Sequence, residues 1–175
     1  MSSPAKSKGN KFERDMAKVL SEWWGEEFRR TPLSGGWGEA CATGDIVSVS
    51  PKSTFPFSVE CKRNEAFKFN TFFQDNNTAL FNSWWKQCCL DAKKAKKLPL
   101  LLTKINRNEP LAICYISALV ERPYTFILSE AGIPLTVCLL KYLIQKPKGV
   151  ILEQAKGSYY TQFRDYLNQD TKDIK

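Results

Sequence analysis

Apolar residues recur at helical spacing in "NKFERDMAKVLSEWWG", where Phe12, Met16, Val19 or Leu20, and Trp23 share one side. The pattern predicts a helix capped by Asn10 and ended by Gly25. "EEFRRTP" reads as a short strand stopped by Pro32, and "LSGGWGEACATG" as a glycine-rich loop. "DIVSVS" and "FPFSVECKR" read as two strands around the turn "PKST". A second long helix, "TALFNSWWKQCCLDAKKAKKL", has a basic end, and "PLLLTKINR" and "PLAICYISAL" follow as buried strands around "NRNE". Beyond residue 120 the pattern predicts a strand at "YTFILS", a helix near "LTVCLLKYLI" and a last helix around "SYYTQFRDYL". Helix, three strands, helix and two strands describe an α/β fold with a mixed extension. No internal repeat or linker divides the 175 residues, so a single domain is expected.

Alternation along "FPFSVECK" sends Phe57, Val59 and Cys61 toward a core and Ser58, Glu60 and Lys62 to the opposite face. A half-buried strand with a solvated ion pair on its wet side would explain that pattern. The preceding strand adds a second carboxylate. A hairpin centred between Lys52 and Ser53 puts Asp45 opposite Glu60, with Cβ atoms about 5 Å apart. Two carboxylates that close repel unless they share a proton or a cation. Oxygen ligands and short range select Mg²⁺ or Mn²⁺, which keep several waters and need only one or two protein carboxylates. Lys62, on the face of Glu60, could then stabilise charge on a phosphate, so Asp45, Glu60 and Lys62 suit phosphodiester hydrolysis.

Composition narrows the partners. The net charge is +8, with lysines and arginines grouped near the start and around the second helix. An excess of that size favours nucleic acid over a membrane surface. The absence of histidine removes mechanisms that use it as base, ligand or triad member. No G-x-x-x-x-G-K-[ST] occurs, so no nucleotide cofactor is expected. The apolar runs are too short to span a bilayer. Six cysteines without a C-x-x-C pair read mostly as small buried hydrophobes in a reducing cytoplasm.

The segment "GDIV…FPFSVECK" resembles the D…(D/E)-x-K signature of PD-(D/E)XK nucleases, with Gly44 where proline is often found. "KGNKFERDMAKVL" is similar to the K-G-x-x-x-E-R helix that opens archaeal-type Holliday junction resolvases. "FRRTPLSGG" is similar to their arginine strand and serine-glycine loop, and "WWKQCCLDAKKAKKLPLLLTK" to their glutamine-bearing helix and next strand. The resemblance runs in order from about Lys8 to Tyr115. It implies a restriction-endonuclease-like core, αβββαβ, with a mixed central sheet flanked by helices. The expected layout is a basic flexible arm over 1–9, the core over 10–116 and a C-terminal α/β extension over 117–175.

The resemblance also implies roles. Glu13, Ser34 and Gln87 join Asp45, Glu60 and Lys62 in the active site. Mg²⁺, or Mn²⁺ in its place, is held by Asp45, Glu60 and the Cys61 carbonyl, with Glu13 near it. Branched or duplex DNA is the expected substrate and a homodimer the expected assembly. Lys6, Lys8, Lys11, Arg14, Arg29, Arg30, Arg63, Lys93, Lys94, Lys96 and Lys97 are the candidate DNA contacts. Each residue has an ordinary alternative. Glu13, three residues after Asn10, could close a capping box; Ser34 could be a turn residue; Arg29 and Arg30 could pair with Glu26 and Glu27. A repair, restriction-like or flap nuclease, or a non-catalytic DNA-binding protein, would share most of these features. The missing proline before Asp45 carries little weight at this level.

Overall fold

The computed structural model describes residues 4–31, 43–64, 79–105, 108–115, 126–130 and 133–157. Helix α1 (Pro4–Trp24) leads to β1 (Phe28–Arg30), β2 (Ile46–Ser48) and β3 (Phe57–Arg63). Helix α2 (Ala79–Ala95) crosses to β4 (Leu98–Lys104), then β5 (Leu111–Cys114), β6 (Phe126–Glu130), β7 (Ile133–Leu139), α3 (Leu140–Ile144) and α4 (Lys148–Lys156). All seven strands form one mixed sheet in the order β1-β2-β3-β4-β5-β7-β6. Among the described strands only β3 and β4 run parallel, the crossover through α2 making that possible. This is the expected α/β architecture with a restriction-endonuclease-like core.

Helix α1 buries Phe12, Met16, Leu20 and Trp24, a four-residue repeat that keeps one stripe on the sheet. Its end is fixed twice. Gly25 turns into the left-handed region at φ 68° and donates its N–H to the Ser21 carbonyl. The Ser21 hydroxyl donates to the Ala17 carbonyl and accepts the N–H of Phe28, tying the helix to β1. Trp24, Phe28, Phe55 and Phe57 then stack edge to face, with Phe55 at 5.1 Å from Trp24 and 5.5 Å from Phe57. Phe57 therefore sits on the α1 side of the sheet. The other side is α2, which buries Phe81, Trp84, Trp85, Cys88, Cys89 and Ala92 over β3 and β4.

Four expectations change. The first helix starts at Pro4, so Asn10 is not its cap, and residues 4–9, expected as an arm, are its opening turns. Residues 57–61 of β3 are buried without a break, Glu60 at 3% exposure, so its second face is covered by α2 rather than wet. The segment 133–139 is strand β7, not helix, with only 140–144 turning helical. Leu135, Thr136, Val137 and Cys138 are buried one after another, the pattern of a strand covered on both faces, which helical spacing cannot separate from a buried helix. Finally, α4 was not foreseen. It packs back on the end of α1: Trp23 Nε1 donates to the Lys146 carbonyl at 3.1 Å, and Lys148 lies over the Trp24 ring. The helix expected around "SYYTQFRDYL" lies outside the described residues. The cysteines at 61, 88, 89, 114 and 138 are buried free thiols, as expected.

Candidate active site

Asp45 is held from both sides before its carboxylate does anything. Its N–H donates to the Val59 carbonyl at 2.7 Å, and its carbonyl accepts the N–H of Thr31 at 2.9 Å. The residue before it, Gly44, has φ 88°, and its carbonyl accepts the Thr31 hydroxyl at 2.7 Å. A Cβ on Gly44 would stand 2.5 Å from the Val59 carbonyl oxygen. Proline, limited to φ near −65°, cannot occupy this position. The departure at 44 that looked minor in the sequence is thus a different entry into β2, built on a left-handed glycine pressed against β3.

β2 and β3 pair through Ile46 and Val59, the register of a hairpin centred between Lys52 and Ser53. One step further along, that register sets Asp45 beside Glu60. Asp45 Oδ2 accepts the N–H of Cys61 at 2.8 Å. Glu60 Oε1 meets Lys62 Nζ at 2.6 Å, and the same ammonium donates to Gln87 Oε1 of α2 at 3.2 Å. Strand alternation and the crossover helix thereby gather Asp45, Glu60, Lys62 and Gln87.

The electrostatics are those of a crowded acidic site. Burial pushes the Asp45 carboxyl above its ordinary value; the Cys61 N–H opposes this, the Glu13 charge adds to it, and Lys62 and Arg30 pull it back. Glu60 is also raised, first by burial and then by Asp45, against its bond from Lys62. Burial likewise pushes the Cys61 thiol well up; strand alternation turns its side chain to the face opposite Glu60, so it is the Cys61 carbonyl that could serve a cation.

Glu13 lies on the buried side of α1, in line with Ala17 and Leu20, and its carboxylate pairs with Arg30 of β1. With the helix starting at Pro4, the capping-box explanation falls. Arg30 is turned inward to that pair, a role with no separate signal in the sequence; Arg29 takes the expected alternative, an exposed pair with Glu27 at 2.8 Å. Glu13→Gln and Arg30→Gln are each expected to lower stability by about 1–3 kcal/mol, because each strands a partly buried partner. In urea titrations the double variant should lose less than the sum of the two; strictly additive losses would mean that the pair is not coupled.

Lys6, Lys8, Lys11 and Arg14 are exposed along α1. Arg63 follows Lys62, and its buried Nε has no hydrogen-bond partner among the described residues. Lys94 pairs with Asp91 at 3.0 Å, and Lys93 is half-buried on α2. Lys96 and Lys97 lie at the start of β4, away from Glu60. Ser34 and Cys41 fall outside the described residues. Thr31 is the residue that sequence reasoning missed, and Gly44 enters that reasoning only as the residue standing where proline is often found.

A hard divalent ion fits the donors present: two oxygen ligands on adjacent strands, raised by burial and, for Glu60, by the charge of Asp45. No group of three or more Asp, Glu, Cys or His side chains able to hold a metal occurs among the described residues; a pair of carboxylates suits an ion such as Mg²⁺ that keeps several waters. No helix among the described residues is long and apolar enough to cross a membrane.

Residues 4–131, which contain the whole Asp45–Glu60–Lys62 group, match the family described as "Phage putative PDDEXK endonuclease". The chain belongs to this family. Its match ends just past β6, leaving β7, α3 and α4 outside. This phage-type PD-(D/E)XK chain is also 25% identical to Protein D14 of Escherichia phage T5 over 113 residues, 62% of this chain and 69% of that protein. No solved structure matches it. Membership in an endonuclease family makes DNA the substrate class; closeness to the archaeal resolvases rests on sequence resemblance alone.

Proposed function

We propose that the protein is a Mg²⁺-dependent, structure-selective DNA endonuclease that resolves Holliday junctions as a homodimer. The observation that carries the chemistry is the pair of carboxylates on adjacent strands, Asp45 and Glu60, with the Lys62 ammonium 2.6 Å from Glu60. Asp45, Glu60 and the Cys61 carbonyl would hold the ion, which supplies Lewis acidity at the scissile phosphate. Lys62 neutralises charge that develops on the phosphate as water attacks in line. Gln87 aims that ammonium, and Glu13, through its pair with Arg30, sets the charge around Asp45. Ser34 is assigned to the same site from its place in the serine-glycine loop. The junction preference and the dimer are supported by the ordered sequence resemblance and by the +8 charge.

The test is cleavage of four-way junction, duplex and single-stranded DNA with Mg²⁺, with Mn²⁺ and with chelator. Cutting should require the metal, favour paired nicks on opposed strands of the junction, and vanish in Glu60→Gln and Lys62→Ala while DNA binding persists. Cleavage that survives chelation would overturn the metal assignment. Equal cutting of plain duplex, or a monomer at assay concentrations, would overturn junction resolution and leave a general nuclease of the same class.

A further inference from the structure

A cavity of about 330 Å³ opens at the end of the sheet away from the carboxylates. It lies where the chain enters β3 and β4, four residues before Glu60, or about 13 Å along the strand. Phe55, Leu98 and Leu152 give it an apolar floor; Lys96, Lys97 and Lys156 stand around it, and no acidic residue is among its lining. Ser53, also in the lining, donates its hydroxyl to the Glu26 carboxylate, and Thr54 lines the cavity beside it.

Two further observations mark this place. Lys96 adopts φ 54°, a left-handed conformation that costs a non-glycine residue about 1–2 kcal/mol. The helix end demands that geometry: Lys97 N–H reaches the Ala92 carbonyl and Lys96 N–H the Lys93 carbonyl. Glycine would close the turn without strain, yet the position is held by a lysine that lines the cavity. Moreover, Leu152, Ala155 and Lys156 come from α4, beyond the 4–131 span matched by the family, so this cavity is built partly by the chain's own extension.

We propose that the cavity is a second, non-catalytic site that binds one nucleotide. Its phosphate would rest among Lys96, Lys97 and Lys156, and its base against the Phe55–Leu98–Leu152 floor. The volume of about 330 Å³ lies at the lower end of the range for small-molecule sites, about 300–1,000 Å³, and the apolar lining gives a ring a place beside the phosphate. The nucleotide can come free or as one unit of single-stranded DNA, and both present the same phosphate and ring.

The full chain is titrated in chelator with deoxyadenosine monophosphate and, separately, with a short oligothymidylate, by calorimetry. The comparison is Lys96→Gly/Lys156→Gln, in which glycine relieves the left-handed strain and protects the fold. The variant is expected to melt no lower than wild type and to bind at least fivefold more weakly. Loss on the monophosphate identifies a free-nucleotide site. Loss on the oligomer alone, with a shallower salt dependence, identifies a strand site. Unchanged affinity of the variant for both probes, or no binding of either to wild type, overturns the proposal. Because no metal is present, the result is independent of whether the Asp45–Glu60 centre cuts DNA.

Discussion

Asp45→Asn will melt higher than wild type at neutral pH and will not cut DNA. The carboxylate is raised above its ordinary value of 3.8, first by burial and then by Glu13. A raised carboxyl means that the folded state holds the proton more tightly than the unfolded chain. Its stabilising share is complete below the unfolded value and is lost as pH climbs through the folded one. At neutral pH the ionised group is therefore a liability to the fold. Asparagine removes the charge and keeps an oxygen to accept the Cys61 N–H, now 2.8 Å from Oδ2. The gain should be about 1 kcal/mol, a few degrees in melting temperature. It should shrink as the pH falls and the wild-type carboxyl takes up its own proton. Cleavage should fall at least about a thousandfold, ~4 kcal/mol of transition-state stabilisation. Mg²⁺ should raise the melting point of wild type and leave Asp45→Asn where it is. A variant no more stable than wild type at pH 7 would refute the buried-charge account, whatever its activity.

Gly44→Ala should be among the most damaging small changes available to this chain. The backbone there sits at φ 88°, and the new Cβ would lie 2.5 Å from the Val59 carbonyl oxygen. That oxygen cannot step aside, because it accepts the Asp45 N–H at 2.7 Å and belongs to the buried centre of β3. Strain and overlap together should cost about 4 kcal/mol, a large part of the 5–15 kcal/mol that holds a domain of this kind folded. Gly44→Pro, which would restore the residue common in PD-(D/E)XK motifs, should fare no better. Gly9→Ala is the control: it lies inside α1 with no atom within 4 Å of its added Cβ, and should gain about 1 kcal/mol. Urea midpoints distinguish the cases, and wild-type stability in Gly44→Ala would mean that the loop before β2 relaxes freely.

The register of β2 against β3 was legible because a short turn and a strict two-residue alternation leave one pairing that buries Ile46, Phe57 and Val59 together. From that register the meeting of Asp45 and Glu60 followed. The glycine stop of α1 and the presence of α2 with its basic end were equally readable. The start of α1 was not, since Asn10 is a good cap and Gly9 directly before it is a poor helix former. Whether Glu60 faces water depended on α2, whose placement over β3 is a tertiary fact. The Glu13–Arg30 pair joins residues seventeen apart across two elements, and no local pattern announces it. β7 failed for a different reason: an apolar run buried on both sides has no polar phase to reveal its period.

The order β5-β7-β6 has a consequence for how the chain comes to be made. As it leaves the ribosome, β6 appears before β7, yet β7 must take the place beside β5 and β6 can pair only with β7. Until about residue 139 has emerged, the edge of β5 is open and β6 has nothing to zip onto. A nascent chain halted near residue 131, where the family match ends, would carry two unpaired strand edges, the usual invitation to aggregation. β7 is thus a closing clasp, and its emergence is the step after which the gap between β5 and β6 can no longer be filled by a neighbouring molecule.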